Sequence, residues 1–195
     1  MKTLNGYAQA QTYTESERLP VGGYVLKILD VKEVVSEWGN TIVISFDIEE
    51  GDYKNFFRDN YKNQTGEDKK WKGVYRLRVP KEDGTEQDEW TMRRFKTVIV
   101  NIEESNQGYS WDWDEKKLKG KLIGALFNNK EYDFNGRHGF FTNCHSLVPV
   151  EKIRSGKFEV PADTLLRTLT PVGTHVTGSD GFMNIPDGID EELPF

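Results

Sequence analysis

At 195 residues the chain has room for one ordinary domain, or for a small domain with appendages. Its single cysteine, Cys144, excludes an internal disulfide framework and offers too few thiolates for a zinc ribbon or an iron–sulfur cluster. The formal charge of −6 argues against a basic nucleic-acid binder only until its distribution is read: residues 179–195 hold five acids and no Lys or Arg, leaving 26 basic against 27 acidic residues elsewhere. A local basic face is therefore allowed.

Residues 1–19 read as a polar, irregular segment without the apolar stretch of a secretory signal, so the expected location is cytoplasmic. Pro20-Val21-Gly22-Gly23 turns into a first strand over 24–35. After the turn Trp38-Gly39-Asn40, residues 41–48 alternate cleanly: Ile42, Ile44, Phe46 and Ile48 face one way, Thr41, Val43, Ser45 and Asp47 the other. Glu50-Gly51-Asp52 leads to a third strand expected over 53–58. A Lys-rich polar stretch follows, and then Tyr75, Leu77 and Val79 alternate with Arg76 and Arg78 as an extension of that strand. Met92, Phe95, Val98, Ile99 and Ile102 recur at helical spacing, with Asp88 as the expected N-cap and Asn106-Gln107-Gly108 as the stop. Two late strands, 121–132 and 139–148, flank the hairpin dipeptide Asn135-Gly136.

Strand, strand, strand, helix, strand, strand is the order of a mainly β, five-stranded Greek-key OB-fold barrel with its helix between strands 3 and 4. A generic antiparallel α+β sandwich gives the same string. The expected organisation is an irregular segment at 1–19, the OB-fold domain at 20–154, a linker or short docking segment at 155–178 and an acidic tail at 179–195. The tail has few aliphatic residues with which to offset its ordering entropy, so disorder is expected there.

Aromatic residues interleaved with cations are what unpaired nucleic acid requires, because bases stack on rings while the backbone tracks positive charge. Phe57, Arg58, Tyr61, Lys69, Lys70, Trp71, Lys72, Tyr75, Arg76 and Arg78 form such a run on the third strand and its extension. Trp38 in the first hairpin and Arg137, His138 and Phe140 in the last would flank the same groove. The competing reading is structural: strand aromatics often pack inward, and the adjacent Lys and Arg then form a solvated face. Of the neighbours Phe56 and Phe57, a strand lets only one point outward.

The second signal is the run Asp190, Glu191, Glu192, Leu193, Pro194 and Phe195. An apolar Leu-Pro-Phe after an acidic stretch suits capture by a partner pocket with an apolar floor and an Arg. Catalytic patterns are weaker. Asp52-Tyr53-Lys54 with Asp30 upstream has the carboxylate–x–Lys form of a metal-dependent nuclease, but nothing in the sequence brings the two carboxylates together. Cys144, His145 and His138 fall one short of a tetrahedral zinc set. The pair Trp111 and Trp113 is read as an apolar lock seating the helix end, since the acids beside it repel phosphate. No catalytic residue, metal or cofactor is expected.

The stretches 102–106, 111–115 and 118–124, with 19–24 and 150–161, resemble a family of small proteins from phages and mobile elements of Gram-positive bacteria, long labelled a domain of unknown function. The similarity spans roughly residues 19–162, and the family's members look like single-stranded-DNA-binding proteins. Residues 190–195 separately resemble the partner-binding tip of bacterial single-stranded-DNA-binding proteins, with Leu193 where the commonest tail has Ile. The resemblance implies a bacterial host cytoplasm, single-stranded DNA as ligand, and recruitment of replication and recombination proteins through the tip. Homo-oligomerisation is compatible with it. A non-DNA-binding adaptor or virion component is the alternative from another class, and the metal-dependent nuclease is a third reading.

Overall fold

The computed structural model describes residues 18–65 and 67–166. Nine elements follow in order: strand β1 (Gly22–Val34), β2 (Thr41–Ile48), helix α1 (Phe56–Asn63), β3 (Val74–Arg78), α2 (Glu86–Ser105), a 3₁₀ turn (Glu115–Leu118), β4 (Leu122–Phe134), β5 (Arg137–Val148) and α3 (Val150–Arg154). The five strands form one antiparallel sheet in the order β3-β2-β1-β4-β5. The sheet is open, with β3 and β5 as its edges, so the chain is a mixed α/β fold and the expected closed barrel is corrected. Helix α2 occupies the gap. Arg94 donates to the Tyr75 hydroxyl on β3 (3.1 Å), and Asn101 donates to the Leu147 carbonyl on β5 (2.9 Å).

The alternation in β2 sets the sides of the sheet. Ile42, Ile44, Phe46 and Ile48 are buried and pair with inward residues of β1 and β3, such as Phe46 with Ile28 and Ile42 with Leu77. Phe95, Val98, Ile99 and Ile102 of α2 close over them, with Leu118, Ile123 and Phe127 completing the core. The N-cap of α2 is Thr85, three residues before the expected Asp88, and its hydroxyl accepts from the Asp88 N–H. Met92 is 40% exposed and belongs outside the core face on which its spacing had placed it. The helix stops where expected: the Asn106 side chain bonds both the Ile102 carbonyl and the backbone of Leu122, tying the helix end to β4.

The clearest difference from the sequence pattern is at 53–58, which is a turn and the start of α1 rather than a strand. Asn55 at the helix N-cap makes no capping bond. Buried Asp47 on β2 substitutes for it: one carboxylate oxygen accepts the N–H groups of Ile48 (2.9 Å) and Phe57 (3.0 Å), the other that of Arg58 (3.2 Å). A cap supplied from another element satisfies the first-turn donors that would otherwise be orphaned. Burial pushes the Asp47 carboxyl up, opposed by these bonds and by the Arg58 guanidinium.

The chain past α3 stays on the sheet. Gly23 and Gly124 leave room for it, since a Cβ at either position would come within 2.9 Å of Ile153, and one at Gly23 within 2.6 Å of Phe158. Thr164 then lies parallel to β4, taking a bond from the Glu131 N–H (2.9 Å) and giving one to the Asn129 carbonyl (2.8 Å). Among the described residues, no helix is long and apolar enough to cross a membrane.

Candidate functional site

Two opposed hairpins follow from the strand directions. β1 leads up to the 35–40 turn, whereas β4 runs antiparallel to it, passes Gly22 opposite Phe127 and continues to Phe134. Trp38 and the group Arg137, His138 and Phe140 therefore sit beyond opposite ends of β1, a 13-residue strand about 40 Å long if straight. They cannot hold the same nucleotide.

Between them lies the outer side of β1, β2 and β3. The register places Lys27, Asp30 and Lys32 of β1 beside Asp47, Ser45 and Val43 of β2, and Val43 and Thr41 beside Arg76 and Arg78 of β3. Arg76, Arg78 and Lys32 are exposed; Thr41, Val43 and Ser45 are half-buried. Four cations thus share this side with Asp30 and the buried cap Asp47. Asp30 is itself neutralised, lying 3.9 Å from the Lys32 ammonium and 4.0 Å from that of Lys119. Trp38, 79% exposed, stands at the hairpin end of the surface. Sequence reading found Arg76, Arg78 and Trp38 but missed Lys27 and Lys32, although the β1 register now aligns them with the outward residues Val43 and Asp47.

The second group surrounds α1. Tyr61 and Trp71 meet at 5.8 Å between ring centroids, with the Lys69 ammonium 6.0 Å from the Tyr61 ring. Gln64 braces the loop, donating to the Lys70 carbonyl and accepting its N–H, each at 2.8 Å. Trp71 is half-buried and gives its indole N–H to the carbonyls of Phe46 and Gly73. Arg58, Lys62, Lys69 and Lys72 are exposed around it.

Two expected stacking residues are core residues instead. Phe57 is buried and packs edge-on against Phe46 at 5.4 Å and face to face with Phe127 at 6.5 Å. Tyr75 is 5% exposed, and α2 covers its hydroxyl. Both point to the inner side, so neither offers a ring to a ligand. Of the Trp pair, Trp111 packs on Phe95 at 6.4 Å as the expected lock, whereas Trp113 is 79% exposed.

The other chemistry-bearing residues do not converge. Asp30 lies opposite Ser45, while Asp52 lies beyond the far end of β2. Cys144 is buried facing Phe127, and burial pushes its thiol up, out of the range where a thiolate forms at neutral pH. His138 lies six residues away along β5, bonded to Glu131. Among the described residues no cluster of three or more His, Cys, Asp or Glu could hold a metal ion. The partner-binding run Asp190, Glu191, Glu192, Leu193, Pro194 and Phe195 lies outside the described residues. No family model and no curated protein matches the chain.

Proposed function

We propose that the protein binds single-stranded DNA, without strong sequence preference, on the outer side of β1, β2 and β3. The observation that carries this reading is the solvent-facing strand surface bearing Lys27, Lys32, Arg76 and Arg78, with the exposed Trp38 ring at its end. Cations along a path with open rings suit a flexible polyanion whose bases are unpaired. The strand order, with α2 between β3 and β4, supports an OB-like architecture opened between β3 and β5; in OB folds the face of strands 2 and 3, with the 1–2 and 4–5 loops, binds oligonucleotides. The role is one of binding rather than covalent chemistry, in the replication or recombination of a phage or mobile element. The acidic run at 190–195 recruits partner enzymes, and deleting residues 191–195 leaves or raises DNA affinity while abolishing recruitment.

Fluorescence titration with oligo(dT) and with duplex DNA at two salt concentrations tests the DNA assignment. Binding should favour the single strand and weaken with salt, with a log–log slope of about 0.7 per phosphate neutralised. Trp38→Ala should cost roughly fivefold or more in affinity, the loss of one stacked base, with no change in thermal midpoint. Salt-independent behaviour, or no binding to oligo(dT), refutes the proposal.

A further inference from the structure

Past Phe127 and Cys144 the strands β4 and β5 pair with each other out to Phe134 and Arg137, while β1 has already ended at Gly22. Residues 128–143 therefore form a ribbon that runs beyond β1, with Thr164 paired along its β4 edge. Successive residues of a strand face opposite sides, so the ribbon has two chemically distinct surfaces. One carries Lys130, Tyr132 and Phe134 of β4 beside Phe141, Gly139 and Arg137 of β5. The other carries Glu131 and Asp133 beside Phe140 and His138. The first has two cations, three rings and no carboxylate; the second has two carboxylates.

The sides also differ in what lies against them. On the acidic side, Glu131 binds His138, and Arg18 donates to Asn129 and Thr142 of the same side. On the basic side, Ile153 of α3 lies on Gly124, Phe158 lies on Gly23, and Asn128 donates to the Ala162 carbonyl and the Thr164 hydroxyl; beyond them the rings form a row. Tyr132 and Phe141 lie 6.3 Å apart and the Lys130 ammonium is 6.0 Å from the Phe141 ring. Gly139 makes this possible: a Cβ there would come within 3.0–3.2 Å of the Tyr132 ring and hydroxyl, so the missing side chain lets that ring lie across β5. Following the pairing from Ser45 and Lys27 through Leu122 and Leu126 to Asn128 puts this row on the same side of the sheet as Lys32, Arg76 and Arg78.

We infer that single-stranded DNA also lies on this side of the ribbon, as a second patch beyond the segment that covers Gly124 and Asn128, stacking bases on Tyr132, Phe134 and Phe141 and laying phosphates on Lys130 and Arg137. The inference rests on the nucleic-acid reading above and corrects it at one point: His138 and Phe140, on the acidic side, are not contacts. Cross-strand ring pairs also stabilise ribbons, so the test has to separate stacking from support.

Full-length protein is titrated with fluorescein-labelled oligo(dT) at two salt concentrations, using Tyr132→Leu, Phe141→Leu, Phe140→Leu and Lys130→Gln, each checked by thermal melting. Tyr132→Leu and Phe141→Leu keep apolar bulk but remove the ring face, and each should weaken binding roughly fivefold or more. Phe140→Leu should change it less than twofold. Lys130→Gln, which keeps all three rings, should lower the salt slope by about 0.7. Equal losses from Phe140→Leu and Phe141→Leu overturn the inference, as does wild-type affinity and slope in the Tyr132, Phe141 and Lys130 variants. In both cases the wild-type protein still binds oligo(dT), so the broader assignment survives; a wild-type chain that does not bind sinks both.

Discussion

The stretch around α1 and the β4–β5 ribbon are both rich in rings and cations, yet they use them in opposite ways. Around α1 two of the rings turn inward: Phe57 joins Phe46 and Phe127, and Trp71 hydrogen-bonds backbone carbonyls, while Tyr61 leans on Trp71 and stays exposed. On the ribbon the rings line a surface, with Phe134 50% exposed and the core left behind at Phe127. The difference teaches that ring placement follows the local closure of the chain, not the local composition. Where α1 crosses the end of β2 the interior must be filled, and the nearest ring fills it. Where β4 and β5 run on beyond β1 with only the Thr164 segment beside them, little interior exists to take one.

The sharpest way to break this contrast is to truncate Phe57. Phe57→Ala should lower unfolding stability by about 3–5 kcal/mol, the range for a buried Phe, measured by urea denaturation. Oligo(dT) affinity of the remaining folded fraction should stay at the wild-type value. A variant of wild-type stability with weakened binding would make Phe57 a ligand contact after all. The next effect in size belongs to Asp47. Asp47→Ala removes the acceptor for three N–H groups and should cost about 2–3 kcal/mol. Asp47→Asn keeps one acceptor oxygen and sheds a buried charge, so its loss should be smaller, about 1 kcal/mol. Equal losses would mean that α1 is held by packing and not by its borrowed cap.

The sheet was legible in the sequence because period-2 alternation in β2, the turn at 38–40 and the Asn135-Gly136 dipeptide are local signals. Asn135 and Gly136 indeed take positive φ values of 50° and 74°, as that hairpin turn requires. Helix α1 was not legible, since its cap lies on β2, about ten residues back in sequence. The ribbon's sides were hidden for a different reason. Counting alternately back from the inward Leu147 would put Phe141 inside and Phe140 outside. A bulge at His145 leaves Ser146 opposite Leu126 but Cys144 opposite Phe127, and it exchanges the two sides for every residue beyond. One extra residue in β5 therefore decides which of two adjacent phenylalanines joins the basic side of the ribbon.

The smallest effect tests the other side of the ribbon, where the acids hold the chain itself. One Glu131 oxygen takes the His138 Nε2 contact at 2.5 Å and the other accepts the Leu166 N–H at 2.9 Å. These contacts, His138 first and the Leu166 amide second, hold the carboxyl below the ordinary glutamate range. A carboxyl depressed in the folded state contributes stability above its unfolded pKa, about 4.3, and loses it as pH falls through the depressed value. The strap from Thr164 to Leu166 should accordingly stay seated from pH 7 to 5 and loosen below about 4.3. Because the pair is exposed and screened by solvent, the response should be confined to the strap, leaving the global melt unchanged. The Leu166 amide proton shift, followed by NMR from pH 6 to 3, should move upfield in the wild type and lie flat in Glu131→Gln, whose amide oxygen accepts without titrating. A flat wild-type curve would show that Thr164 alone holds the strap, and that the acidic side of the ribbon is free for another use.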